Sequence, residues 1–87
     1  MRTIWKFPFA VEGEVVLRMP KGARALSVQT QNEVPCVWAL VESTAAVEPR
    51  RFRIFGTGQR IEGQSLVFVG TFQQLSGTLV FHLFEVS

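Results

Sequence analysis

The 87-residue chain predicts a small all-β domain of about seven antiparallel strands, closed as a barrel or stacked as a sandwich. Three observations carry that prediction. Apolar residues recur at a spacing of two in several short segments, the period of a half-buried strand. Clusters containing Gly, Pro or Asn separate those segments as turns. No stretch sustains the 3.6-residue period of an amphipathic helix.

The first strand follows from Thr3, Trp5, Phe7 and Phe9 on one face of an extended segment, with Ile4, Lys6 and Pro8 on the other. Pro8 has no N–H for a ladder, so that end belongs at a sheet edge or strand terminus. After Glu12-Gly13, Val15, Leu17 and Met19 alternate with Glu14, Val16 and Arg18 as a second strand, and Pro20-Lys21-Gly22 turns the chain. Ala25–Glu42 reads as a central hairpin. Leu26 and Val28 share a face of its first strand, Asn32-Glu33 is the turn, and Cys36–Val41 is an apolar returning strand. Glu33 stands where Gly accepts positive φ most cheaply, which predicts a strained or longer loop.

Glu42–Glu48 is small and polar and reads as the most mobile loop. In Arg50–Phe55, Phe52 and Ile54 take one face and Arg51, Arg53 and Phe55 the other, and Gly56-Thr57-Gly58 ends the strand. Gln59–Gln64 is a second polar loop. Ser65–Phe72 forms a strand weakened or bulged at Gly70, and Ser76-Gly77 leads into the last strand, Thr78–Val86. There Leu79, Phe81 and Leu83 oppose Val80, His82 and Phe84.

Composition narrows the function. One domain of this length buries roughly two-thirds of the surface exposed by its unfolded chain, which leaves no room for a second domain. Apolar residues are 47% and charged residues 18%, below the roughly 25% of ordinary soluble domains. Three strands, Cys36–Val41, Leu66–Val69 and Leu79–Phe84, are apolar on both faces. One face of each has to be covered by something beyond a thin core, and a twofold homodimer is the commonest cover. A net charge of +2 falls short of a nucleic-acid binder, and no run of about 18 apolar residues suggests a membrane span. Cys36, the only cysteine, excludes an internal disulfide and suits a reducing compartment.

Catalysis is disfavoured. The chain has no Asp and no Tyr, with one His and one Cys. Cys36 lies in an apolar run and reads as a small core residue, not as a thiolate with His82 as its base. One Cys and one His cannot furnish the four ligands of a structural zinc, and no motif calls for a cofactor. The constellation that suggests binding is Arg50, Arg51 and Arg53 with Gly56-Thr57-Gly58 and Arg60. Arg51 and Arg53 are about 6–7 Å apart along one strand face, and a Gly-Thr-Gly loop can turn N–H groups toward an anion. The bland reading is a solvated basic strand ending in an ordinary loop, since a lone Gly-x-Gly is no phosphate motif. Trp5 and Trp38 lie in apolar strands and read as core or interface.

The segments TIWKFPF, NEVPCVWALVES, RFRIFGTGQRIE and VGTFQQLSGTLVFHLFEV, spaced as they are here, resemble a family of short uncharacterised proteins of phages, prophages and bacterial genomes. The resemblance covers nearly the whole chain. Members of that family often carry Gly after the turn Asn and His after Gly-Thr-Gly, where this chain has Glu33 and Gln59. The resemblance implies no known activity and no catalytic residue. It implies a soluble protein of the bacterial host cytoplasm. Two functions follow as expectations: sequestration of an anionic small ligand such as a nucleotide signal, in counter-defence, or docking on a host or phage protein through an apolar sheet face.

Overall fold

A computed structural model describes residues 1–63 and 65–87. Seven strands follow in chain order: β1 (Arg2–Pro8), β2 (Glu14–Pro20), β3 (Arg24–Gln31), β4 (Val34–Glu42), β5 (Val47–Gly56), β6 (Leu66–Gln74) and β7 (Leu79–Val86). They form two antiparallel sheets, one of three strands in the order β1-β4-β3 and one of four in the order β2-β5-β7-β6. The sheets pack as a sandwich and do not close into a barrel, and the molecule measures 16 Å along its shortest axis.

The period-two pattern decides what lies between the sheets. β4 turns Val37, Ala39 and Val41 inward, β2 contributes Met19, β5 contributes Phe52 and Ile54, and β7 contributes Leu83. Phe9, just past β1, meets Phe72 of β6 edge to face at 5.6 Å between ring centres. Each of these side chains is shielded from water in the folded state, and a fully buried Val, Leu or Phe contributes about 1.5–3 kcal/mol.

Three sequence expectations are refined. Leu26 does not share the inward face with Val28: it is 45% exposed, because the register between β3 and β4 shifts between Ala25 and Ser27. Leu26 is the extra residue of that bulge, and the chain regains the inward face at Val28. The loop expected over Glu42–Glu48 shrinks to a tight turn at residues 43–46, closed by the Ala45 N–H to the Glu42 carbonyl, because β5 begins at Val47. Pro49 fits that strand because β7 pairs with β5 only from Phe52 onward. The β3–β4 turn is strained, as expected, but no longer than two residues: Asn32 and Glu33 sit at φ of 50° and 66°.

The sheets are joined where β3 runs beside β6. A bulge between Phe68 and Gly70 bends β6, and Gly70 lies against Val28 so closely that a Cβ there would stand 2.8 Å from Val28 Cγ1. Farther along, the Thr30 hydroxyl donates to the Gln73 carbonyl and the Gln74 amide donates to the Glu33 carbonyl. The Leu75 N–H donates to the Glu33 carboxylate at 3.0 Å, so the turn residue that lacks glycine's freedom supplies a link between hairpins.

Candidate functional site

β5 carries the arginines, and its two-residue alternation separates them. Arg50 shares the inward side with Phe52, whereas Arg51 and Arg53 point outward from the four-stranded sheet. Arg50 reaches across the end of the core. Its Nε and Nη2 pair with the two carboxylate oxygens of Glu85 on β7, the second at 2.9 Å, and Nη1 donates to the Ala23 carbonyl at 2.9 Å. The hydrogen bond to Glu85 raises the guanidinium's pKa further above its already high value, against the opposing effect of burial. This fork clamps β5 and β7 to the start of β3.

Arg51 donates from Nε and Nη2 to Glu14 at 3.0 and 3.3 Å across the β2–β5 ladder. That bond holds the Glu14 carboxyl below its ordinary range. Arg53 donates to the Gly13 carbonyl at 3.2 Å, and its guanidinium lies 5.0 Å from the centre of the Phe55 ring. Arg60 forms an exposed ion pair with Glu62. The fold therefore brings Arg51 and Arg53 onto one face, directs Arg50 to the other, and leaves Arg60 in the following loop.

Gly56-Thr57-Gly58 forms a turn with Gly58 at φ 89°, closed by the Gln59 N–H to the Gly56 carbonyl. The Gly56 N–H donates to the Gln59 side chain and the Thr57 N–H to the Val80 carbonyl, so these amides are engaged by the chain itself. A shallow depression of about 400 Å³ lies beside the turn, lined by Gly56, Thr57, Thr78, Leu79, Val80 and Phe81. None of the arginines lines it.

Two outward clusters escaped the sequence reading. His82 of β7 bridges two hydroxyls, Thr57 Oγ1 at 2.8 Å from Nε2 and Thr71 Oγ1 at 2.9 Å from Nδ1. This cross-strand link ties the turn to the sheet. Cys36 lies in the other sheet, buried, with its thiol donating to the Val34 carbonyl at 3.4 Å, so thiol and imidazole do not meet. The second cluster is aromatic. Phe84 stands between Phe55 at 5.7 Å and Phe68 at 5.3 Å on the outer face of the four-stranded sheet. Phe55 is buried within this row, whereas Phe68 is 57% exposed. The alternation in β7 places Phe84 and His82 on one face, but only the register of β5 and β6 reveals their neighbours.

Among the described residues, no three His, Cys, Asp or Glu side chains gather as a metal site, and no helix is long and apolar enough to cross a membrane. The whole chain, residues 1–87, matches one family model. The chain belongs to the family described as Domain of unknown function (DUF7352). No curated protein and no solved structure matches it. Within this DUF7352 chain, the aromatic row and the arginine pair beside it lie together on the outer face of the four-stranded sheet.

Proposed function

We propose that the protein acts by binding and not by catalysis, and that its working surface is the outer face of the four-stranded sheet, through which it docks on another protein. The observation that carries this reading is Phe68: a phenylalanine packed against Phe84, yet more than half exposed. Covering that exposed part of the ring contributes about 2–3 kcal/mol at about 25 cal/mol per Å², enough for an interface anchor. Arg51 and Arg53, each fixed by a bond to the β2 edge, supply a polar rim beside the aromatic row. The resemblance to phage and prophage proteins supports a host or phage protein of the bacterial cytoplasm as the partner.

Sequestration of an anion by Arg50, Arg51, Arg53, Arg60 and the Gly-Thr-Gly turn has less support. Arg50, Arg51 and Arg60 already hold carboxylates, and an anion at Arg51 would have to displace Glu14. The test is cross-linked affinity capture from producing cells, comparing the unaltered protein with Phe68→Glu and with Ile61→Glu, an exposed apolar position in the loop. The docking reading expects Phe68→Glu to lose partners that Ile61→Glu keeps. Equal recovery of the same partners by both variants would refute it. Light scattering on the same samples identifies a second copy of the chain as the partner, if the loss is one of mass.

A further inference from the structure

The outer face of the three-stranded sheet differs in chemistry from the face just described. Strand parity puts Arg2, Ile4 and Lys6 of β1, Trp38 and Leu40 of β4, and Arg24 of β3 on it. Arg2 stands opposite Glu42 and Arg24 opposite Leu40, so the two arginines flank β4 from either side. Strands about 4.8 Å apart and a two-residue offset place their Cα atoms about 12 Å apart, a span that two long side chains can close over Leu40. A depression of about 290 Å³ lies between them, floored in part by Leu40 and Val41.

Among the described residues, no acceptor of the chain engages Arg2 or Arg24, in contrast to the ion-paired Arg50, Arg51 and Arg60. Glu42 also lines the depression. The N-terminal amine and Thr44 bond to its Oε2, and the bond from the amine holds the carboxyl below its ordinary range. Lys6 adds a third positive charge on the same face, its ammonium 5.8 Å from the centre of the Trp38 ring. Beside these charges runs an apolar strip of Ile4, Leu40 and Trp38, with Ile4 exposed and the other two half-buried.

We propose that Arg2 and Arg24 form a site for the phosphate of a small phosphorylated ligand whose planar part lies on the Ile4–Leu40–Trp38 strip, a nucleoside monophosphate being the class that fits. Two guanidinium forks match phosphate oxygens, and among the described residues no carboxylate pairs with either of them, the neighbouring Glu42 being bonded through Oε2 to the N-terminal amine. The depression between the arginines takes the phosphate end, and the planar part lies outside it on the adjoining strip. The site is independent of the docking face on the opposite sheet.

The experiment is titration calorimetry of the full chain with AMP, with adenosine and inorganic phosphate as separate arms. Both arginines are exposed, so Arg2→Ala and Arg24→Ala are expected to keep the unaltered protein's melting temperature and circular dichroism. AMP is expected to bind more tightly than either half-ligand. Each alanine variant should weaken AMP at least tenfold, and Arg24→Lys should recover only part of that loss, because it restores charge without the fork. Arg18→Ala, which removes an exposed arginine from the other sheet, should bind AMP as the unaltered protein does. The proposal is overturned by no heat with millimolar AMP, by adenosine binding as tightly as AMP, by full affinity in Arg24→Ala, or by an equal loss in Arg18→Ala.

Discussion

Gly70→Ala tests the join between the two sheets. The added methyl would stand 2.8 Å from Val28 Cγ1 and 3.5 Å from the Val28 nitrogen. Carbon atoms pack best at about 3.5–4.0 Å, so the first contact is too close by at least about 0.7 Å. Val28 is buried and β-branched, which leaves its side chain little freedom to turn away. The strands must separate, at about 1–3 kcal/mol for overpacking. Replacing a strand glycine returns about 0.5–1 kcal/mol through the unfolded chain, so a net loss centred on about 1 kcal/mol, and at most about 2.5 kcal/mol, remains. For a domain of this length the central value lowers the melting temperature by about 4–8 °C. Val28→Ala alone removes two buried methyl groups and costs about 2 kcal/mol. In the double variant the alanine at position 70 occupies space vacated by Cγ1, so the two losses should fall short of additivity by about 1 kcal/mol or more. Denaturant titration of all four proteins measures this. A Gly70→Ala protein more stable than the parent, or strict additivity, would refute close packing of β3 on β6.

Two further outcomes follow from the ion pairs. Glu85→Ala leaves the Arg50 guanidinium, only 18% exposed, without its main partner and should cost about 2 kcal/mol by chemical denaturation, more than an exposed pair could account for. Glu14 has a folded pKa lowered beneath the ordinary 4.5, so its contribution is present above that pH and is lost as the pH falls through the lower folded value. Arg51→Gln should therefore flatten the fall in melting temperature as the pH drops below 4.5 without abolishing it, because Glu42 is lowered in the same sense. An unchanged slope would show that the Arg51–Glu14 bond does not persist in solution.

Much of the fold was legible because burial on one face forces alternation. Val15, Leu17 and Met19 in β2, and Phe52 and Ile54 in β5, announce both strand and face, and both sets turn toward the core. Gly70 marked its bulge because a glycine inside a strand often signals a close approach. Leu26 misled because a bulge changes parity without changing composition. The candidate site was legible only to the extent of one strand. The spacing of Arg51 and Arg53 fixes a shared face, and it also separates Arg50 from them. What each guanidinium bonds is set by register with distant strands: Glu14 lies 37 residues from Arg51, and Glu85 lies 35 from Arg50. Arg2 and Arg24 come near one another only because both strands border β4. The positive φ of Glu33 was foreseeable, but the bond from Leu75 that accompanies it was not.

The strand order has a consequence for synthesis. The first four strands contain the whole three-stranded sheet, yet its inner residues Val37, Ala39 and Val41 have nothing to rest on until the other sheet exists. That second sheet has β7 between β5 and β6, so its final strand in sequence is an interior strand in space. During translation the early hairpin can form, but β2 waits for β5, and β5 and β6 have no bridge between them until β7 has emerged. The four-stranded sheet therefore cannot close without β7, and a chain cut before Leu79 would lose the interior of a sheet and not a dispensable strand.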